Sequence, residues 1–272
     1  MKITFQTALI TGSSRGHGRG IAVKLAQEGV KKIAIHYLER KDEAEQTLAL
    51  IRAAGADGVL VQGDVSDANR AEALVHEAAQ QLGGCDIFVH SVIPRLEAIY
   101  EHALATAVPL AKWQLAYDTQ ARAFFVGART AATYMTRGGR IFALSYTPGG
   151  QTGGWQPWVG MGPAKAAVES TCRYFAVALG RQGITVNAVN PGVSDTTTVI
   201  GQTPPAVQEA IHQWIEAGWT PMRRAATPTD IANVCALLCS EEASFVTGQS
   251  IAVDGGSSLM NPDFPLPLQV PA

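Results

Sequence analysis

The sequence predicts a doubly wound, parallel α/β sheet folded as a single domain, and three observations carry that prediction. Short apolar runs of strand length recur along the 272 residues, longer stretches with helical spacing separate them, and a glycine-rich turn follows the first run. Strands separated by helices need parallel crossovers, and strands that are apolar throughout belong to a sheet covered on both faces. No stretch of linker composition divides the chain, so one domain is expected over residues 1–260, followed by a proline-rich tail over 261–272.

Taken in order, residues 7–11 read as a buried strand and 18–29 as a helix closed by the glycine at 29. A second strand over 32–37 leads into a charged helix over 42–54, and a third strand spans 58–62. Residues 69–82 place Leu74, Val75, Ala78, Ala79 and Leu82 on one face, which is a helix. Strands over 86–90, 140–145, 184–189 and 249–253 bring the total to about seven, with a helix over 164–179 among the connections. The tail holds four prolines in twelve residues and is apolar enough to pack on its own domain or on a neighbouring subunit.

Composition narrows the function. The chain is 47% hydrophobic and 16% charged, which suits a buried core, and its net charge of −2 gives no general attraction to nucleic acid or to an anionic membrane. No apolar run approaches the length of ~20 residues that spans a bilayer. The opening residues run directly into a strand-like segment, so no signal peptide is expected. Cys85, Cys172, Cys235 and Cys239 are scattered, and the last two share a helical pattern rather than a metal-binding one. A cytoplasmic location is the expectation.

After the first strand comes Thr11-Gly12-Ser13-Ser14-Arg15-Gly16-His17-Gly18, then a helix. Glycines at these places let the backbone approach a pyrophosphate, and the helix that follows directs free N–H groups and a positive dipole end at it. This spacing resembles the cofactor motif of the short-chain dehydrogenase/reductases, a Rossmann-type family. The later pattern follows in order. Gly63-Asp64-Val65 is similar to the segment that contacts adenine. Asn187-Ala188-Val189-Asn190-Pro191-Gly192-Val193, followed by Thr196, is similar to the stretch that brackets nicotinamide. The run Thr247 to Gly256 is similar to the last strand and its closing turn. The resemblance implies a dinucleotide held by Gly12, Ser14, Arg15, Gly16, His17, Gly18, Asp64, Val65, His90, Ser91, Lys165, Pro191, Gly192, Val193 and Thr196. NAD-preferring sites place a carboxylate after the second strand to hold the ribose hydroxyl. Here His36 stands nearest that place and Arg40 and Lys41 follow, while Arg15 resembles the basic residue facing a 2′-phosphate. Glu39 argues the other way; NADP(H) is the expected cofactor.

In this family a tyrosine four residues before a lysine supplies the proton, the lysine holds the ribose, and a serine polarises the carbonyl. Lys165 matches the lysine, but Met161 occupies the place four before it. A branch of the family, the enoyl-acyl-carrier-protein reductases, carries its tyrosine seven before the lysine. His90-Ser91 and Leu144-Ser145-Tyr146 resemble that branch, yet Trp158 stands seven before Lys165. Gln120 takes the place of the asparagine expected on the central helix. Tyr146 is the first candidate for a replacement acid, because a phenol beside a lysine can be tuned towards neutrality. Ser145 is the candidate for orienting a carbonyl, and Ser91 a further donor; each of the three also fits an ordinary structural role.

Trp155 and Trp158 lie before Lys165, and Trp214 and Trp219 lie where the substrate cover is expected. Aromatic walls suit a flat or polycyclic ligand, and lid packing explains the same residues equally well. Residues 94–112 form a long insertion able to reshape the pocket mouth, with Arg95, Glu97, Tyr100 and His102 read as surface residues. Three functions follow. The leading expectation is an NADPH-dependent ketoreductase acting on an aromatic or polycyclic intermediate such as a polyketide, its proton coming from Tyr146, water or the substrate's own hydroxyl. The alternatives are reduction of a conjugated C=C, including an enoyl thioester, and a dinucleotide-binding protein without redox work. The resemblance also implies a homodimer or homotetramer, built through the segments 113–134 and 164–179.

Overall fold

The computed structural model describes residues 2–146, 154, 156–194, 205–263 and 266–269, so Trp155 and Thr196 lie outside the described residues. Among these, the sheet is built from β1 (Thr7–Thr11), β2 (Lys32–Tyr37), β3 (Asp57–Gln62), β4 (Ile87–His90), β5 (Gly139–Leu144), β6 (Ile184–Pro191) and β7 (Ser250–Val253). The spatial order is β3-β2-β1-β4-β5-β6-β7 and every neighbouring pair is parallel. The chain therefore reverses its direction of winding between β1 and β4, and the crevice beyond the carboxyl ends of those strands is where ligands bind in such sheets.

Helices α1 (Gly16–Gln27), α2 (Lys41–Ala53), α3 (Ala68–Leu82), α4 (Leu96–Ile99), α5 (Leu110–Tyr117) and α6 (Ala123–Ala132) precede the fifth strand. After it come α7 (Met161–Leu179), α8 (Pro205–Trp214), α9 (Pro228–Cys239) and the short α10 (Leu266–Gln269). Strand residues alternate between the two faces. Ala8, Ile10, Ile33 and Ile35 pack against α1, α2 and α9, whereas Leu9, Ala34 and Phe88 pack against α3, α6 and α7. This two-sided burial is why the strands read as unbroken apolar runs. The helix α3 begins where Asp67 accepts the Arg70 N–H at 2.9 Å and ends at Gly83, whose φ of 80° no β-carbon tolerates well.

Two boundaries depart from the pattern in the sequence. The helix predicted from residue 164 starts at Met161, so Met161 is a helical residue one turn before Lys165. The segment predicted as one interface helix is broken into α5, a π-turn at Asp118–Arg122, and α6. Gln120 explains the break: its side-chain amide donates to the Ala116 carbonyl at 3.0 Å, the acceptor that its own backbone N–H would take in an unbroken helix. All four cysteines are buried as free thiols, and burial pushes the Cys85 thiol up to about 12. In the tail, Asn261 and Gln269 bond to each other, and Leu266 Cδ2 approaches to 3.8 Å of the β-position of Gly218. No described helix is long and apolar enough to cross a membrane.

Candidate active site

The carboxyl ends of β1 and β4 meet at Gly12. Its φ is +70°, and a β-carbon there would lie 2.9 Å from the Ser91 carbonyl oxygen. One turn later, a β-carbon on Gly18 would sit 2.3 Å from the Gly12 carbonyl oxygen. Only glycine lets this loop fold so closely onto the start of α1. The first bond of the helix runs from the Arg19 N–H to Arg15 O at 3.2 Å, leaving the amides of Gly16, His17 and Gly18 without partners inside the helix. Arg19 braces the loop from behind, donating from Nε to Ser14 O at 3.0 Å and to Thr47 Oγ1 at 2.9 Å.

His36, nearest the place of the usual carboxylate, is held at both ring nitrogens. Its Nδ1 accepts the Gly12 N–H at 2.9 Å, so Nε2 carries the proton and donates to Gly63 O at 2.9 Å. The ring is buried and its pKa is pushed down to about 4, chiefly by loss of solvent. A neutral histidine committed at both nitrogens is a rivet between the β1, β2 and β3 loops, not a ribose ligand. His90 is committed in the same way: Nε2 donates to Thr119 O at 3.2 Å and Nδ1 lies 3.0 Å from the Thr11 hydroxyl. Burial holds it neutral, with a pKa near 3. Its side chain locks β4 to β1 and to the π-turn, so only its backbone borders the crevice. His17 differs from both. Its Nε2 is buried with no partner, at the helix end where the pyrophosphate is expected, and desolvation lowers its pKa to about 4.

Beyond β2 the structure gathers three guanidinium groups. Arg15 Nε lies 3.6 Å from Glu43 Oε2, Arg40 donates to the same carboxylate at 3.1 Å, and Arg95 pairs with Glu39. Arg40 and Arg95 are both close enough to lower the Arg15 pKa, after the larger effect of its own burial. Arg95 is exposed, as expected, and reaches this cluster from the segment after β4. The site therefore fits NADP(H): a glycine turn shaped to a backbone contact, an orphaned buried nitrogen, and cationic groups whose carboxylate partners stand where a 2′-phosphate would compete. Asp64 lies after β3, its carboxylate accepting the Ser66 N–H at 2.9 Å, and Val65 is buried. Gly192 is pressed so closely on the end of β7 that a β-carbon would lie 2.6 Å from Asp254 Cβ, and Val193 is held by the Ala226 N–H at 2.8 Å. Pro191 closes β6 beside them. Thr196, expected just beyond, is outside the described residues.

The reacting end is assembled on β5, α7 and the π-turn. Lys165 is buried, donates from Nζ to Leu144 O at 2.7 Å, and has its pKa pushed down to about 7 by desolvation, against the opposing pull of Glu169. Met161 packs with Tyr146 and Trp158 around Ile99 and Ala116. Gln120 donates to Met161 Sδ at 3.3 Å and leaves its own Oε1 buried without a partner. Tyr146 does not match its expectation: burial and the Glu169 carboxylate raise its pKa to about 12 rather than drawing it towards neutrality. Ser145 is likewise committed, its hydroxyl donating to Glu169 Oε1 at 2.6 Å. Glu169 went unremarked in the sequence; its place four residues after Lys165, on the same helix face, was the available signal. Trp158 meets Tyr100 edge-on with ring centroids 6.1 Å apart, forming one wall. Trp214 and Trp219 stack on each other with ring centroids 6.3 Å apart. Trp155 is outside the described residues.

A glycine turn at a parallel-sheet switch point, a buried lysine one turn into α7 and a cationic corner beyond β2 define an NADP-dependent oxidoreductase, and the chain belongs to the short-chain dehydrogenase/reductase family. The family model described as enoyl-(acyl carrier protein) reductase matches residues 12–258. The chain is 35% identical over 266 residues to 1-cyclohexenylcarbonyl-CoA reductase of Streptomyces collinus, covering 95% of this chain and 89% of that one. It is also 35% identical over 260 residues to a 3-oxoacyl-[acyl-carrier-protein] reductase of Staphylococcus aureus, covering 94% and 99%. Among solved structures it is similar to the angucycline C-6 ketoreductase LanV with bound NADP, at 29% identity and TM-score 0.82, covering 94% and 96%.

Proposed function

We propose that this chain reduces a conjugated carbon–carbon double bond, that of an α,β-unsaturated thioester, at the expense of NADPH. The observation that carries the reading is the commitment of the Ser145 hydroxyl to Glu169, with Met161 and Trp158 standing at both places where the family puts a tyrosine. Tyr146 is then the donor left beside Lys165, and it is a weak acid.

The two reductions make different demands on such a site. A ketone that accepts hydride becomes an alkoxide, a strong base that needs a proton in the same step. An enoyl thioester becomes an enolate, whose charge rests on the thioester oxygen and needs a hydrogen bond rather than a full proton transfer. NADPH, when bound, supplies the hydride to the β-carbon. Lys165 holds the nicotinamide ribose, Tyr146 donates a hydrogen bond to the thioester oxygen, and the α-carbon takes its proton from water. Met161, Ile99 and Trp158 keep the acyl chain in an apolar surrounding. The 35% identity to a reductase of an unsaturated acyl-CoA supports the same direction.

Ketoreduction of a polycyclic substrate is the second reading, favoured by the Tyr100–Trp158 wall and by the similarity to LanV. The substrate's own phenol would then supply the proton. NADPH consumption at 340 nm, with a set of enoyl thioesters beside a set of hydroxylated quinones and ketones, separates the two. Turnover confined to the second set would overturn the enoyl reading. A homodimer or homotetramer is part of the same proposal: Phe125, Tyr174 and Val177 on α6 and α7 are exposed and apolar enough for a second copy to cover, and light scattering tests it.

A further inference from the structure

The buried carboxylate of Glu169 has no place in the reaction described above, yet it bonds to three strands beside Lys165. It lies on α7 with 2% of its surface exposed. Ser145 from the end of β5 donates to Oε1 at 2.6 Å, Asn190 from the end of β6 donates to the same oxygen at 3.0 Å, and Ser250 from β7 donates to Oε2 at 3.2 Å. Three strands are thus tied to one helix through a single side chain. A carboxylate is rarely placed in a core unless its charge is compensated. Two cations of α7 stand four residues from it, Lys165 and Arg173; Arg173 is exposed, and Lys165 is the buried one.

We propose that Glu169 is a positioning residue of the active site: its carboxylate clamps the ends of β5 and β6 and the start of β7 to α7, sets Tyr146 beside Lys165, and serves as the counter-charge of the Lys165 ammonium. The proposal rests on Lys165 as the ligand of the cofactor ribose and not on which bond is reduced. The clamp explains why the residue after Ser145 enters the site at a fixed place: Ser145 is held by its hydroxyl on Glu169 and by its N–H on Val189 O at 2.8 Å. The counter-charge role explains why loss of solvent lowers the Lys165 pKa to about 7 and no further.

The groups facing Lys165 support this division. Glu169 on α7 is the one that raises the lysine's pKa, against desolvation that lowers it. Tyr146 at the end of β5 feels the same carboxylate, which raises its pKa after the larger effect of burial. His90 at the end of β4 is held neutral by burial, with Lys165 adding to that effect, so it competes for no proton. Cys172, one turn beyond Glu169, has its thiol pushed up by burial and stays neutral. Removing the Glu169 charge leaves Lys165 with desolvation alone.

The test is NADPH binding, followed by nicotinamide fluorescence from pH 6 to 9.5, in native protein, E169Q, E169D, K165R and K165M. Native affinity falls as pH rises and Lys165 loses its proton. E169Q keeps the size of the side chain and removes the charge; its midpoint moves down by about one pH unit. E169D keeps the charge one methylene further away and moves the midpoint down by a few tenths, which is the shift to read if E169Q fails to fold. K165R, which stays charged throughout, shows only the cofactor's own titration, and adding E169Q to it moves nothing. If K165M binds NADPH with native affinity, Lys165 is not the ligand and the proposal falls with that reading. If K165M binds weakly while E169Q and E169D keep the native midpoint, the Glu169 proposal alone is overturned.

Discussion

Replacing Arg15 by glutamine is expected to weaken NADPH binding about 5- to 30-fold while changing NADH binding less than about twofold. The magnitude follows from the corner beyond β2. A hydrogen bond between a guanidinium and a phosphate contributes about 1.5–3 kcal/mol. Arg15 must first leave Glu43, which lies 3.6 Å away with both side chains about a quarter exposed. A contact of that kind is worth about 0.5–1 kcal/mol. The net loss in R15Q is therefore about 1–2 kcal/mol, and it applies only to a ligand carrying the 2′-phosphate. Fluorescence titrations of NADPH and NADH at 50 and 300 mM salt measure it, with the discrimination shrinking at high salt as the charges are screened. Equal weakening of both cofactors would refute the reasoning, because it would show Arg15 acting through the shape of the loop rather than on the phosphate.

Other perturbations follow from the same geometry. Gly18→Ala places a β-carbon 2.3 Å from the Gly12 carbonyl oxygen, so the turn must open; we expect a loss of about 1–3 kcal/mol in stability by denaturant titration and at least tenfold weaker NADPH binding. Tyr146→Phe removes the remaining donor and is expected to lower kcat about 10²- to 10³-fold in steady-state assays, with the Kd for NADPH within twofold of native. The buried His36 binds protons more readily unfolded, near pH 6.5, than folded, near 4. Its contribution is complete above about pH 6.5 and is lost as pH falls through that window, so His36→Asn flattens the acid limb of the stability profile by roughly one proton.

How much of this was legible in the sequence differs from element to element. Strand and helix order was legible because the central strands are apolar on both faces and the helices have a polar side, a contrast that periodicity reads directly. The glycine turn was legible because positions 12 and 18 admit no β-carbon. Side-chain commitments were not. His90 looks like a cofactor ligand until its Nε2 is found bonded to Thr119, 29 residues away, and nothing in the sequence tells that His36 bonds Gly12 and Gly63, 24 and 27 residues away. Tyr146 looks like an acid tuned by Lys165 until Glu169 is placed beside both. The π-turn at Gln120 depends on one side chain competing for the Ala116 carbonyl, which no helical pattern encodes. Arg95 joins Arg15 only because the segment after β4 folds back over the end of β2.

The measurement that bears most directly on the proposed chemistry offers the protein one molecule with both reducible bonds, an α,β-unsaturated ketone, with NADPH in deuterated water, and identifies the product by proton NMR. The expected product is the saturated ketone, with one deuterium on the α-carbon taken from solvent. An allylic alcohol with its double bond intact would contradict it, since the site would then have delivered a proton to an alkoxide without the donor that the fold has lost.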